Sequence, residues 1–138
     1  MPNIPSNING VTVEFSPHVN KDVDLNIINA LRVIIKPTIV SGHNLNKIYI
    51  SSANDQHKLP SRHVQGKGKA VDISRINGYK MSLFYPSNPL VKSIVDAIQI
   101  NFENTPFRRE NFGPHLKKKL GNNHPINGHG DHIHLSVN

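Results

Sequence analysis

The sequence contains neither cysteine nor tryptophan, and aromatic residues make up only 6% of it. Without cysteine the chain has no disulfide, no thiolate nucleophile and no cysteine-based zinc or iron–sulfur site. Any metal site must therefore use histidine, aspartate or glutamate. Because large rings are scarce, the core must be built mainly from isoleucine, valine and leucine.

Two further features are missing from the sequence. No apolar run approaches the length needed to cross a bilayer, and the start of the chain lacks the charged and apolar regions of a signal peptide. We therefore expect a cytoplasmic product without membrane insertion. The length of 138 residues fits one domain, which we place at residues 11–138, after an extended, proline- and asparagine-rich arm at residues 1–10.

The formal net charge is +7 and the isoelectric point is near 9.9, which favours contact with polyanions. A cluster of basic residues lies at Lys117–Lys119, near Arg108 and Arg109 in the sequence. A nucleic-acid module would usually add aromatic side chains for stacking or a recognition helix. The sequence shows neither, which disfavours nucleic acid, while the charge alone leaves an acidic membrane surface and the anionic polymers of a bacterial wall as possible partners.

Hydrophobic periodicity predicts an α+β fold, with a small, largely antiparallel sheet flanked by helices. An Asn77-Gly78 pair is typical of a two-residue hairpin turn, with residues 79–83 returning as the partner strand. Residues 103–130 show no regular pattern and are expected to be irregular. The predicted helices cover residues 22–35 and 89–102, and the other predicted strands cover residues 11–15, 47–52, 70–73 and 132–137.

Nine histidines are present, and three of them lie close together as His129, His132 and His134. On a strand, His132 and His134 would point to the same face, because side chains alternate. That arrangement suits an exposed edge strand or a metal site. Earlier in the chain, His63 lies in a glycine-rich loop and Asp72 lies in a short β-type segment. Two nitrogens and one carboxylate oxygen from His63, Asp72 and His134 match the ligand set of a catalytic zinc site.

Both stretches resemble the motifs of the zinc D-alanyl-D-alanine carboxypeptidases and L-alanyl-D-glutamate endolysins, which share a fold with the hedgehog signalling domain. The first motif, Ser-x-His-x-x-Gly-x-Ala-x-Asp, is similar to the segment from Ser61 to Asp72. The second, a terminal strand with His-x-His or an acidic residue three positions before a histidine, is similar to Asp131-His132-Ile133-His134. The resemblance covers roughly residues 48–137.

The resemblance implies zinc as the cofactor, with His63, Asp72 and His134 as its ligands. It also implies that Asp131 or His132 is the general base, and the acidic form of the motif favours Asp131. The sequence departs from the family in two ways. The loop between His63 and Asp72 is two residues longer than usual, and residues 51–55 lack the family's substrate-binding arginine. Arg62 and Arg75 are the candidates to replace that arginine.

Residues 108–115 and the two histidines His115 and His124 fall in the segment expected to be irregular. A long loop with charged and aromatic residues often lines a binding site, so this segment is a candidate cover for a substrate groove. The alternative is a basic patch for a wall polymer or a partner protein, with both histidines in solvated loops.

The expected function is zinc-dependent hydrolysis of amide bonds in peptidoglycan stem peptides. Small size and the likeness to single-domain endolysins indicate a bacteriophage product, made in the host cytoplasm and acting at the cell wall or within a virion. The alternative is a non-catalytic virion protein that keeps the fold and binds neighbouring virion proteins.

Overall fold

The computed structural model describes residues 1–54 and 68–138, which form a mixed α/β fold around one mostly antiparallel sheet. Three helices are present among these residues: α1 (Leu25–Ile34), α2 (Met81–Phe84) and α3 (Pro89–Phe102). The strands are β1 (Asn7–Ile8), β2 (Val11–Phe15), β3 (Lys47–Ser52), β4 (Ala70–Ile76), β5 (Tyr79–Lys80), β6 (Arg108–Phe112), β7 (Lys117–Lys119), β8 (Asn122–Asn123) and β9 (Ile133–Val137).

The sheet has the strand order β1-β2-β3-β4-β9-β6-β7-β8, with β5 attached to β4. Strands β2 and β3 are parallel and are connected through α1, whereas the other described pairs are antiparallel. The C-terminal strand β9 lies between β4 and β6. Side chains of β9 therefore have neighbours from both β4 and β6.

Helices α1 and α3 pack on one face of the sheet and on each other. Asp24 caps the start of α1, where its carboxylate accepts the backbone N–H of Asn26. Asn88 caps the start of α3, where its side chain accepts the N–H of Val91. Their apolar sides meet the alternate inward residues of the central strands, which on β9 are Ile133, Leu135 and Val137. The other face of the sheet, which we call the polar face, carries the remaining residues of β9.

The structure extends the predicted sheet considerably. Residues 103–130 were expected to be irregular, and that prediction is wrong because they contain β6, β7 and β8. The Asn77-Gly78 turn is confirmed, but the returning strand β5 has only two residues before α2 begins at Met81. Helix α3 has the predicted bounds, whereas α1 begins three residues later than predicted, after its cap at Asp24.

The first ten residues pack onto the domain. Strand β1 pairs with β2, and the side chains of Ile4 and Ile8 are buried in the core. The backbone N–H of Ile4 also donates to the carbonyl of Lys21. Among the residues that the structure describes, no helix is long and apolar enough to cross a membrane.

Candidate metal and catalytic site

Three neighbouring strands bring a row of functional side chains together on the polar face. Asp72 of β4 and Phe112 of β6 are both register partners of His134 on β9. Directly paired residues point to the same side of a sheet, with their Cβ atoms about 5 Å apart. Because Ile133 and Leu135 point into the core, His134 and its two partners point away from the helices.

His134 lies between two carboxylates and is only 8% exposed. Its Nδ1 donates to Oδ1 of Asp72 at 2.9 Å, and its Nε2 donates to Oε1 of Glu110 at 3.1 Å. The two acids approach opposite nitrogens of one ring. This arrangement fixes the orientation of the imidazole from both sides.

Glu110 is held in turn by Ser136, two residues after His134 on the same strand. The hydroxyl of Ser136 donates to Oε1 of Glu110 at 2.9 Å and accepts the backbone N–H of Glu110 at 2.9 Å. Glu110 could not be identified as a site residue from the sequence, since it lies in a segment without strand periodicity. The alternation of His134 and Ser136 was visible in the sequence, but nothing there linked Glu110 to either residue.

These contacts shift the pKa values of the acid and the imidazole in opposite directions. Burial by itself would lower the pKa of His134, but the hydrogen bonds and charges of Asp72 and Glu110 raise it to about 9. Burial by itself would raise the pKa of Glu110, but the hydrogen bonds from His134 and Ser136 lower it to about 2. In the metal-free protein at neutral pH, His134 is therefore a cation and Glu110 beside it is an anion.

A second pair, Asp131 and His132, lies at the start of β9. Oδ1 of Asp131 is 2.8 Å from Nδ1 of His132, and this hydrogen bond is the main cause of the lowered pKa of Asp131. His129 connects the pair to the first site, since its ring centroid is 5.0 Å from that of His132 and 5.8 Å from that of His134. Burial and then the charges of these two neighbours lower the pKa of His129.

Phe112 forms an apolar wall beside these histidines. Its ring is stacked on that of His134, with centroids 5.6 Å apart, and on that of His124, also with centroids 5.6 Å apart. His129 meets the same ring edge-on at 5.2 Å. His124 was expected in a solvated loop or in a substrate groove, and the structure places its ring against Phe112.

The donor types around His134 fit a metal ligand of the expected kind. Imidazole nitrogen and carboxylate oxygen are common zinc donors, and a ligating histidine usually gives its second nitrogen to a carboxylate, as His134 does to Glu110. A metal bound at one ring nitrogen of His134 would face only one of the two acids, because Asp72 and Glu110 contact opposite nitrogens of the ring. Among the described residues, no group of three or more histidines or acids is arranged to hold a metal.

The structure thus brings together Asp72 and His134, and separately Asp131 and His132. His63, the third predicted ligand, lies outside the described residues, as does Arg62. Arg75 lies three residues beyond Asp72, and its guanidinium group stacks on the ring of Tyr49 at 4.1 Å. That contact directs the Arg75 side chain to β3.

Searches against protein-family models, curated proteins and solved structures gave no significant match.

Proposed function

We infer that this chain is a zinc-dependent hydrolase of amide bonds in peptidoglycan stem peptides, with a fold of the hedgehog and D-alanyl-D-alanine peptidase type. The observation that carries this proposal is the 2.9 Å contact between Asp72 and His134, two residues 62 positions apart in the chain. Both come from the two motifs that resemble this family. Their meeting on one face of the sheet supports a common role for those motifs.

In the proposed site, His63, Asp72 and His134 hold the zinc, and Glu110 orients His134 from its other nitrogen. Bound zinc supplies a water of lowered pKa, which is a nucleophile at neutral pH. Glu110 and Ser136 keep the imidazole in one orientation, so that Nδ1 faces Asp72. The fold therefore orders the His134 side chain before a metal binds.

We assign the proton transfer to Asp131 and His132. Nδ1 of His132 donates to Asp131, which leaves Nε2 as the nitrogen that accepts a proton. His132 would take the proton of the attacking water as the water oxygen bonds to the carbonyl carbon, and it would return that proton to the leaving amine as the C–N bond breaks. This geometry favours His132 as the proton carrier, with Asp131 holding its tautomer.

The basic charge of the chain supports an activity at the bacterial cell wall. A formal net charge of +7 would hold the protein on the anionic bacterial wall. We propose a bacteriophage endolysin or a virion-associated wall-degrading enzyme. A non-catalytic virion protein with the same fold is the other outcome of the experiment below.

The test is digestion of purified peptidoglycan by the zinc-loaded protein, scored by the release of new amino groups. We expect release by the intact chain, a loss of about 100-fold or more in His132→Gln, and unchanged metal binding in that variant. His18→Gln is the matched control, because His18 is exposed and contacts Ser16, which follows β2, three strands from β9 in the sheet order. No release by the intact, metal-loaded chain would overturn the hydrolase and leave the non-catalytic alternative.

A further inference from the structure

The tripeptide Ile-Asn-Gly occurs three times in the chain, at residues 8–10, 76–78 and 126–128. Asparagine followed by glycine is the pair most prone to cyclise, because glycine has no Cβ to hinder attack of its backbone nitrogen on the asparagine side chain. The three copies contain the same residues. Differences in their reactivity must therefore come mainly from the structure around them.

The first two copies are held in hairpin turns, between β1 and β2 and between β4 and β5. Asn9 and Asn77 have φ of 55° and 51°, and the glycine after each also has a positive φ, as tight hairpin turns require. The side-chain amide of Asn9 donates to the carbonyls of Arg32 and Ile35, at 2.8 and 3.0 Å. That of Asn77 donates to the carbonyl of Asn44 at 2.8 Å. Ring closure at either copy therefore requires a turn to open and these hydrogen bonds to break.

The third copy lies in the loop that leads into β9, and it is not held in this way. Asn127 and Gly128 are both exposed, and a Cβ built at Gly128 would meet no atom within 4 Å. Within residues 1–54 and 68–138, no group forms a hydrogen bond with the side chain of Asn127 or accepts the backbone N–H of Gly128. The attacking nitrogen and the side-chain amide are thus both accessible to each other.

A histidine contact assists the reaction at this copy. Nδ1 of His129 lies 3.0 Å from the backbone carbonyl of Asn127, and because a carbonyl only accepts, this nitrogen carries the proton. The carbonyl belongs to the same peptide group as the N–H of Gly128. A hydrogen bond to the carbonyl stabilises the amide anion that forms when the nitrogen loses its proton. That anion is the nucleophile of the cyclisation.

We propose that Asn127 is a site of spontaneous deamidation and that His129 accelerates the reaction. The backbone nitrogen of Gly128 bonds to Cγ of Asn127, the Cγ–Nδ2 bond breaks, and ammonia leaves with the proton of the glycine N–H. Water then opens the cyclic imide at one of its two carbonyls. Attack at Cγ gives aspartate, whereas attack at the main-chain carbonyl gives isoaspartate, whose backbone runs through the former side chain.

Either product adds a carboxylate to the loop beside the candidate site. The modified residue lies two positions before His129, whose ring centroid is 5.0 Å from that of His132 and 5.8 Å from that of His134. The reaction needs only water, so it does not depend on cleavage of peptidoglycan by the protein.

The experiment follows the three copies in one sample. The folded, full-length protein is incubated at physiological temperature and mildly alkaline pH, then digested and mapped by mass spectrometry. We expect Asn127 to be converted at least about tenfold faster than Asn9 and Asn77, because the two hairpin turns must open before they react. In the chain unfolded by urea, all three copies should react at similar rates. An intact Asn127, or equal rates at the three copies in the folded protein, would overturn the proposal.

His129→Phe tests the assisting hydrogen bond, since phenylalanine keeps a ring but removes the donor. We expect conversion of Asn127 to slow by about two- to tenfold in the folded variant and to be unchanged in the unfolded variant. Amide NMR spectra verify that the variant keeps the fold. His18→Phe is the matched control, because His18 is exposed and follows β2, three strands from β9 in the sheet order. An unchanged or faster conversion in folded His129→Phe would overturn the role of His129.

Discussion

Glu110 accepts a hydrogen bond from Nε2 of His134 at 3.1 Å, on the side of the ring opposite to Asp72. One imidazole thereby links β4, β9 and β6 across the polar face of the sheet. Because β9 lies between β4 and β6, each ring nitrogen of His134 faces a carboxylate from a different neighbouring strand. In the proposed metal site, Asp72 would share the metal with His134, and Glu110 would orient that histidine.

Removing Glu110 should weaken zinc binding without removing a ligand. We expect Glu110→Ala to raise the dissociation constant for zinc by about 10- to 100-fold, and Glu110→Gln to fall between it and the intact protein. Competition with a chromophoric chelator measures the constant. Glu14→Ala is the control, because Glu14 is exposed on β2, where it forms an ion pair with Lys47 of β3. Identical affinities in the intact chain and Glu110→Ala would remove Glu110 from the metal site.

The metal-free protein should be most stable against urea between pH 4.5 and 6.5. Glu110 has a lowered pKa, so its contribution is present above pH 4.5 and is lost as the pH falls towards about 2. His134 has a raised pKa, so its contribution is present below pH 6.5 and is lost as the pH rises through about 9. The His134–Glu110 hydrogen bond contributes to both effects, with Asp72 as the larger cause of the raised pKa of His134 and Ser136 as a further cause of the lowered pKa of Glu110.

Urea unfolding of the chelator-treated protein across this range measures the effect. His134→Gln should show a smaller loss of stability than the intact chain between pH 6.5 and 9. A metal-free protein that gains stability over that interval would contradict the prediction, since such a gain is typical of a histidine buried in its neutral form.

Gly113 and Gln99 should be energetically coupled. A Cβ built at Gly113 would lie 2.6 Å from Cδ of Gln99. The amide of Gln99 is held by four hydrogen bonds: it accepts the backbone N–H groups of His115 and Leu116 and donates to Oδ1 of Asn111 and to the carbonyl of Leu116. We expect Gly113→Ala to lower the free energy of unfolding by about 1–3 kcal/mol. In a Gln99→Ala background the same change should cost less than about 0.5 kcal/mol, because the obstructing amide is gone. Additive effects in this double-mutant cycle would show that the two residues do not interact.

Asn77 should be a strong local determinant of stability. Its φ of 51° lies in the left-handed region, and its side-chain oxygen accepts the N–H of Asn46 at 2.7 Å and of Lys47 at 3.1 Å. We expect Asn77→Ala to lower the free energy of unfolding by about 2 kcal/mol or more, through lost hydrogen bonds and strain. Asn77→Asp keeps the acceptor and tolerates this backbone, so it should cost about half as much. Equal urea midpoints for the two variants would argue against a role for the acceptor.

The parts of the fold that follow a simple apolar pattern could be predicted from the sequence. Helix α3 presents a stripe that includes Val91, Ile94 and Ile98 to the sheet, and its predicted bounds match those observed. The alternation of Ile48 and Ile50 likewise predicted β3 with the observed bounds. In both elements one side is apolar and buried, which is the condition that makes periodicity informative.

Strands β6 to β8 could not be predicted because they are polar on both faces. On β6, Asn111 faces the helices but is satisfied by the buried amide of Gln99 and the carboxylate of Glu103. Glu110 faces the other side and is satisfied by His134. The partners of these polar groups lie 8, 12 and 24 positions away in the sequence, outside the strand itself. The partnership of Asp72 with His134 was expected from the motifs, whereas the role of Glu110 required the structure.

Metal analysis of the purified protein tests directly whether His63, Asp72 and His134 bind zinc. The intact chain, His63→Ala, Asp72→Ala and His134→Ala would be loaded with zinc, desalted and assayed for metal, with His18→Ala as the control. We expect about one zinc per chain in the intact protein and the control, with loss in each of the three variants. No zinc in the intact chain, or zinc retained in both Asp72→Ala and His134→Ala, would contradict it.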